Sequence, residues 1–287
     1  MPLTEQQLAE RRKYIGASDV AAILGYSKWA TAYDVWAFKT GRVDLVPSSE
    51  AARIGTALES GVLELAEAEL GPLECGIHAQ SPDYPIIHAN LDARVTETGE
   101  PVEAKTSSML DGWGEPGTDA VPDLYIIQCQ IQMHCTGATV CHVAALFADR
   151  GFRFGLYRVP RVQTLIDMAT EKAAAFWNDY VLTDTPPPDS VPSYEIVKAM
   201  RREPGRVATV ADELLTEWRA AKDILTQADR AEYEKRAALL AAIGDAEAAV
   251  TPTAGGITYF EQSRKEHMVK ASTFRVLRYR QPKGEES

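Results

Sequence analysis

The chain of 287 residues lacks several features that would narrow its class at once. It has 4 cysteines, too few for the disulfide scaffold of a secreted protein, so we expect a reducing, cytoplasmic compartment. No segment approaches the roughly 20 consecutive apolar residues of a transmembrane helix, so we expect no membrane span. The first residues, MPLTEQQLAERRKYIG, are polar and lack the apolar core of a secretory signal. Together, these absences predict a cytoplasmic protein.

An excess of basic charge is also missing. Lys and Arg number 30 against 41 Asp and Glu, which gives a formal net charge of −11. This balance argues against a simple basic-tract nucleic-acid binder, because neutralising phosphates requires local Lys and Arg. It leaves open a DNA enzyme whose positive groups are gathered in one groove. The 45% of hydrophobic residues suits a chain with a packed core and excludes wholesale disorder.

Two changes of composition predict domain boundaries, and no internal repeat is visible. The proline-rich segment TDTPPPDSVP (Thr183 to Pro192) precludes helix, and Pro204-Gly205 precedes a long Ala-, Leu- and Glu-rich segment that ends at Gly244. We therefore predict a catalytic domain over 1–200, a long helix or coiled-coil segment over 206–250, and a small basic β-rich module over 251–287. The basic residues of the C-terminal module can contact nucleic acid or be solvated. They are Arg264, Lys265, Lys270, Arg275, Arg278 and Arg280.

Helix and strand patterns alternate in the first 182 residues. The apolar spacing predicts helices over Tyr33 to Thr40, Arg53 to Glu69, Pro122 to Cys135, and Val162 to Val181. Period-two patterns predict strands over Ile86 to Val95, Pro101 to Thr106, Val140 to Phe147, and Phe152 to Val159. This mixture predicts an α/β or α+β core.

The predicted hairpin around Glu97 to Glu100 carries the chemistry. Glu103 and Lys105 point to one face of their strand, and Asp92 lies at a mirrored distance from the turn on the other strand. Two adjacent carboxylates repel, which a hard divalent cation such as Mg²⁺ relieves. Beside such a cation, Lys105 can orient a water for attack on phosphorus. A purely structural ion pair between Glu103 and Lys105 is the alternative.

These residues, written D-x(n)-E-x-K, resemble the core motif of the PD-(D/E)XK nuclease superfamily. More narrowly, the chain is similar to the YqaJ viral recombinase, or lambda-exonuclease-like, group. The supporting segments are RRKYIGASDVAAILG, RIGTALES, WGEPGTDAVPDLYIIQCQIQMHCTG and the C-terminal GGITYFEQSRKEHMVKASTFRVLRYR. One departure is Leu91, where the family often has Pro before the first Asp. The resemblance implies a restriction-endonuclease-like core with a central mixed sheet flanked by helices.

The resemblance also implies a set of ligands for one or two Mg²⁺ or Mn²⁺ ions: Glu59, Asp92, Glu103 and the backbone carbonyl of Ala104. It implies that Lys105 positions the nucleophilic water and that Gln128 lies near the scissile phosphate. A terminal 5′-phosphate would be held by Arg11 with Ser18, or by the adjacent Arg12, through charge-assisted hydrogen bonds. Ser18 is equally suited to a purely structural N-cap.

Further DNA contacts are expected from the motif helix and the loop before it. Tyr125, Gln128 and Gln132 form one polar stripe at i, i+3 and i+7, while Ile127 and Ile131 face the core. Gln130 is assigned to DNA binding, with a supporting or exposed amide as its alternative. Trp113 is the candidate base-stacking residue, and the other tryptophans considered, Trp29, Trp36 and Trp177, are expected in the core.

A cysteine-bound iron–sulfur cluster, present in some nucleases of the superfamily, is the less favoured interpretation of Cys75, Cys129, Cys135 and Cys141. No C-x-x-C is present, and Cys129 and Cys135 lie on different faces of the predicted helix. We expect the cysteines to behave as buried small hydrophobic residues.

The leading hypothesis is a metal-dependent exonuclease that resects linear double-stranded DNA 5′→3′, releasing 5′-mononucleotides and leaving a 3′ single strand for an annealing protein of the RecT or Beta type. The resemblance also favours a homo-oligomer. The alternatives are an endonuclease of restriction or junction-resolving type on the same core, and a non-catalytic DNA-binding module.

Overall fold

The chain divides into two units, Met1–Gly205 and Arg206–Ser287, and each is described by itself. The computed structural model describes residues 9–43, 49–149, 151–200, 205, 207–251, 253 and 255–259. Within those residues, no helix combines the length and the apolar character needed to cross a membrane.

The strands of the first unit form one mixed sheet. In chain order they are β1 (Ile15–Gly16), β2 (Leu73–Gln80), β3 (Ile87–Val95), β4 (Pro101–Ser107), β5 (Val140–Phe147) and β6 (Arg153–Pro160). Strand β3 pairs in parallel with β1 and antiparallel with both β2 and β4. Strand β4 then pairs in parallel with β5, which pairs antiparallel with β6. A parallel pair needs a crossover connection, and a helix lies between β4 and β5 in the chain.

The described helices of this unit are α1 (Ala17–Ile23), α2 (Ala32–Lys39), α3 (Glu50–Leu70), α4 (Asp123–Thr136), α5 (Gln163–Phe176) and α6 (Tyr194–Ala199). A π-helical turn, Trp177–Val181, continues α5. Helix α4 buries Ile127 and Ile131 in the core that α1, α2 and β3 also line. Its amide side chains are therefore directed to other faces of the helix.

In the first unit most predicted elements are confirmed with ends displaced by a few residues, but β1, β2 and α6 were not predicted. Strand β2 is partly exposed and contains Gly76 at a φ of +74°, so its sequence shows no clean apolar alternation. Helix α6 follows the proline-rich segment and begins where Ser193 accepts a hydrogen bond from the Ile196 N–H at 3.3 Å. Both elements depend on tertiary packing and local caps rather than on periodicity.

The second unit contains helix α7 (Asp212–Ile243) and a hairpin of β7 (Ala248–Val250) and β8 (Gly256–Thr258). The predicted long helix is present but begins at Asp212 rather than at 206, since residues 207–211 are not helical. Acidic Asp212 and Glu213 occupy its first turn, where negative charge is favoured by the helix dipole. The predicted basic residues, Arg264 to Arg280, lie outside the described residues.

Candidate active site

Asp92 and Glu103 lie where β3 and β4 separate. The two strands pair only at Ala93–Val102 and Arg94–Pro101, and continuing that register would place Asp92 opposite Glu103. On its other side β4 pairs with β5 from Val102 to Ser107, whereas its pairing with β3 does not continue beyond Val102. The Asp92 carboxylate accepts a hydrogen bond from the backbone N–H of Ala104 at 2.9 Å, so a side chain spans the gap in the backbone ladder.

Glu103 is buried, at 2% exposure, and its carboxylate has several donors around it. Gln128 donates to Oε1 at 2.6 Å, Gln132 donates to Oε2, and the Lys105 ammonium donates to Oε1. The two glutamines lie one turn apart on α4, as the predicted polar stripe requires. A buried carboxylate is costly unless it is paired and hydrogen-bonded, and these donors supply both conditions.

Gln132 links the site to the interior. Its amide nitrogen donates to Glu103, and its amide oxygen accepts the thiol of Cys141 at 3.3 Å. The sequence placed Gln132 on the polar stripe but gave it no role of its own. The spacing of four residues between Gln128 and Gln132 was the sequence signal that could have assigned both side chains to Glu103.

Lys105 is a cation held between acidic groups. Burial alone would lower the pKa of Lys105, but the carboxylates of Glu103 and Asp92 outweigh burial and raise it well above its ordinary value. The ammonium also lies 5.0 Å from the centre of the Tyr125 ring, within range of a cation–π interaction. Lys105 is therefore a protonated donor at neutral pH, suited to stabilising negative charge or orienting a water.

The groups around Asp92 do not fully compensate the negative charge of its ionised form. Burial first, and then the neighbouring Glu103, raise the pKa of Asp92 from 3.8 to about 8, although Lys105 acts in the opposite direction. A carboxylate in this position favours an additional cation, and its oxygen donors suit a hard ion such as Mg²⁺. The donor chemistry thus fits the divalent ion that the family resemblance implies.

Glu59 faces the same cleft but stands apart from the other two acids. A cleft of about 1500 Å³ is lined by Arg11, Glu59 and Asp92, among others. The Glu59 side chain is exposed, and its charge contributes to raising the Asp92 pKa. Within the described residues, no group of three His, Cys, Asp or Glu side chains is already gathered as a metal site. The structure brings Asp92 and Glu103 together, whereas Glu59 lines the same cleft as Asp92 without joining the pair.

Gly55 explains how α3 reaches this cleft. A Cβ at position 55 would lie 3.1 Å from the Thr106 side-chain oxygen, closer than ordinary packing allows. Glycine therefore permits α3 to approach β4, and Glu59 follows one turn later along the helix.

The structure separates the two adjacent candidate arginines. Arg11 lines the cleft, with Nη2 at 3.5 Å from the Ser18 hydroxyl. Arg12 is directed elsewhere: it donates to the Val43 carbonyl at 2.9 Å, and its guanidinium lies 5.5 Å from the Phe38 ring centre. Arg11 is thus the arginine that faces Ser18.

Ser18 does not have the structural role that the sequence offered as its alternative. The N-cap of α1 is Gly16, and Ser18 is an exposed residue in the first turn of that helix. The N-cap expectation for Ser18 was wrong because Asp19 accepts a hydrogen bond from the Gly16 N–H at 2.9 Å and closes the helix start without the serine.

Gln130 is not brought to the carboxylates. It is fully buried, donates to the Pro160 carbonyl at 2.8 Å and accepts from the Val162 N–H at 2.8 Å. Its amide therefore joins α4 to the segment between β6 and α5, and it is neither exposed nor beside Glu103. Two positions on from Gln128, Gln130 necessarily lies on another side of the helix.

Trp113 is placed in a packed aromatic group rather than on an open surface. Its ring centre lies 5.4 Å from that of Tyr125, 5.1 Å from Phe147 and 5.2 Å from Tyr157. Conversely, Trp29, expected in the core, is 69% exposed. The burial pattern of these tryptophans was not visible in the sequence because both lie in irregular segments.

The cysteines show no cluster among the described residues. Cys129 and Cys141 are buried, Cys135 is partly buried and Cys75 is exposed. Burial raises the pKa of the Cys135 thiol to about 12 and that of Cys141 well above its ordinary value. The expectation of buried small hydrophobic residues is confirmed for Cys129 and Cys141 and wrong for Cys75.

Comparisons with known proteins support the resemblance carried by the motifs. The uncharacterized protein YqaJ of Bacillus subtilis (strain 168) is 34% identical over 183 residues, which are 62% of this chain and 56% of that protein. The chain thus spans little more than half the length of this curated relative. The crystal structure of an alkaline exonuclease from Laribacter hongkongensis matches with a TM-score of 0.51 at 22% identity, covering 63% of this chain and 94% of that chain.

The structural likeness concerns the fold, and it confirms the predicted restriction-endonuclease-like α/β core with its mixed sheet flanked by helices. The family match extends from the segment of Arg11 to the end of α4 and so includes every residue discussed above as a candidate metal ligand. Residues 7–139 match the model of the YqaJ-like viral recombinase domain, and the family resemblance read from the motifs is confirmed over that part of the chain.

Proposed function

We propose that the protein is a metal-dependent DNA exonuclease that resects linear double-stranded DNA 5′→3′. It would release 5′-mononucleotides and leave a 3′ single strand for recombination by strand annealing. The observation that carries the proposal is the pairing of Asp92 with Glu103 at the fork of β3 and β4, with the Lys105 ammonium bonded to Glu103. The matched viral recombinase domain supports a role in DNA recombination.

The residues that would hold one or two Mg²⁺ or Mn²⁺ ions are Glu59, Asp92, Glu103 and the carbonyl of Ala104. When bound, such an ion supplies Lewis-acid polarisation of the phosphate and a lower pKa for a coordinated water. The raised pKa of Asp92 supports this assignment, because a cation relieves the repulsion between the two neighbouring carboxylates.

The chain's own groups orient the reactants. Lys105 donates from its ammonium group to a water or phosphate oxygen beside Glu103, since its raised pKa keeps it protonated. Gln128 and Gln132 hold the Glu103 carboxylate from α4, and Gln128 is the one we place beside the scissile phosphate. Tyr125 supports the Lys105 ammonium with its ring face.

A separate part of the cleft would recognise the DNA end. Arg11 and Ser18 are near neighbours, and a guanidinium with a hydroxyl suits the three oxygens of a terminal phosphate monoester. Arg11 also shares the cleft with Asp92, so a terminal phosphate and a scissile phosphate can occupy one continuous space.

The wider assignments belong to the same proposal. We place the protein in the cytoplasm of a bacterial host, encoded by the host or a phage, as a homo-oligomer acting on double-stranded DNA ends. Its partner would be a single-strand annealing protein of the RecT or Beta type, which would coat the 3′ strand as digestion exposes it.

The decisive experiment compares linear and closed-circular duplexes of one sequence, in Mg²⁺ and in EDTA, with products resolved by size. We expect the linear duplex to yield 5′-mononucleotides in Mg²⁺ only and the closed circle to stay intact. Cutting of the closed circle would indicate the endonuclease instead. DNA binding without digestion, in Mg²⁺ as well as in EDTA, would indicate the non-catalytic module.

A further inference from the structure

Lys39 is a buried cation that the proposed reaction does not use. Its side chain is 1% exposed at the end of α2, and its ammonium donates to the Arg11 carbonyl at 2.8 Å. The same ammonium forms an ion pair with Asp19 at 2.6 Å. Burying a lysine is costly, and such a group is retained only with close partners.

Asp19 is the common partner in this corner of the fold. One of its oxygens accepts from both Lys39 and the Gly16 N–H. Burial alone would raise the pKa of Asp19, but the charges of Lys39 and Arg11 outweigh burial and lower it. Asp19 is thus an ionised carboxylate near two cations, and only Lys39 is in direct contact with it.

The position of Asp19 matters because it directly follows Ser18, which lies 3.5 Å from the Arg11 guanidinium. The Asp19 carboxylate, next to Ser18 in the chain and under the influence of the Arg11 charge, would compete with a phosphate for the guanidinium. Lys39 limits that competition, since it satisfies Asp19 at short range and also fixes the Arg11 backbone.

We propose that Lys39 is a positioning residue, which occupies Asp19 and thereby keeps the Arg11 guanidinium available for a terminal 5′-phosphate. The inference rests on the proposed function, specifically on Arg11 and Ser18 as the end-recognition pair. Without Lys39, Asp19 would pair with Arg11 and neutralise the charge that the phosphate needs. Removal of Asp19 as well would release Arg11 again.

The test measures binding rather than digestion, using the full chain in EDTA and a fluorescent linear duplex with either a 5′-phosphate or a 5′-hydroxyl. We expect the unmodified protein to bind the phosphorylated end about tenfold more tightly, as a charge-assisted contact provides. Lys39→Met should bring this ratio close to one. The double variant Asp19→Asn with Lys39→Met should recover most of the preference. Lys172→Met, at an exposed position on α5, is the matched control and should change nothing.

Each outcome of these binding measurements supports or overturns the role proposed for Lys39. A preference kept by Lys39→Met, or one that the double variant fails to recover, overturns the role of Lys39 while leaving the end-recognition pair intact. A protein with no preference before any substitution overturns the end-recognition pair as well. If circular dichroism shows Lys39→Met to be unfolded, Lys39→Gln replaces it, because its amide keeps an N–H donor for the Arg11 carbonyl, and the same loss and recovery are expected.

Discussion

The Asp92 side chain accepts the backbone N–H of Ala104 at 2.9 Å, at the point where their two strands have ceased to pair. A backbone donor that would otherwise belong to a strand ladder is thus satisfied by a carboxylate. This hydrogen bond fixes Asp92 against β4. It keeps the side chain beside Glu103, the residue that would face Asp92 if the strand pairing continued.

The first prediction concerns Asp92 and pH. The pKa of Asp92 is about 8 in the folded chain against an ordinary 3.8, so the folded state binds a proton that the unfolded state has lost. The free energy of unfolding therefore falls as the pH rises from about 4 to about 8 in metal-free protein. Asp92→Asn should remove this decline and raise the stability at pH 8 while abolishing digestion. Urea denaturation in EDTA at pH 6 and pH 8 measures it.

The matched control for Asp92→Asn is Asp189→Asn, at an exposed position outside the site. It should leave the pH dependence of unfolding as in the unmodified protein. If Asp92→Asn also keeps that dependence, the folded carboxyl is not the group that titrates.

The second prediction concerns Lys105. Lys105→Ala removes the ammonium bonded to Glu103, and we expect kcat to fall by about 10²–10³, the usual effect of losing one preorganised donor. Affinity for a DNA end, measured by fluorescence anisotropy in Ca²⁺, should change little, because Lys105 lies beside the reacting groups rather than at the end-recognition pair. Digestion at the unmodified rate would remove Lys105 from the mechanism.

The third prediction compares two buried glutamines on α4. Gln132→Ala leaves Glu103 without one donor and removes the closer of the two acceptors of the Cys141 thiol, so both kcat and stability should fall. Gln130→Ala breaks bonds to the backbone of Pro160 and Val162, so stability should fall with kcat kept in the folded fraction. Each stability loss is expected to be about 1–3 kcal/mol. Denaturation curves and rates on one DNA duplex separate the two variants, and equal losses of kcat would contradict the assignment.

The fourth prediction uses the neighbouring arginines. Arg11→Ala should reduce digestion of 5′-phosphorylated duplex about tenfold relative to a 5′-hydroxyl duplex, because Arg11 lines the cleft and its guanidinium faces Ser18. Arg12→Ala should instead lower Tm and keep the preference, since Arg12 bonds the Val43 carbonyl. If Arg12→Ala lost the preference for the 5′-phosphate and Arg11→Ala kept it, Arg12 would be the phosphate-binding arginine.

The sequence predicted the central hairpin well because its signals are local. Strands β3 and β4 follow from apolar alternation on each side of a Thr-Gly turn, and the same alternation places Glu103 and Lys105 on one face. The register of a tight hairpin then brings Asp92 beside Glu103 without further information.

The rest depends on contacts that no local pattern encodes. Arg11 and Arg12 are adjacent in sequence, and only packing against Phe38 and Val43 directs Arg12 away from the cleft. For Gln130, the helical spacing from Gln128 indicates a different face of the helix, whereas the family motif indicated DNA binding. Trp113 was assigned to stacking because its loop is glycine-rich, but the loop returns the ring to neighbouring aromatic side chains.

The donors around Glu103 have one further consequence. Because Lys105, Gln128 and Gln132 already satisfy this carboxylate, the position of Glu103 does not depend on a bound metal ion. Chelator-treated protein should keep its native shape, and activity should return on adding Mg²⁺ within the mixing time, with no refolding lag.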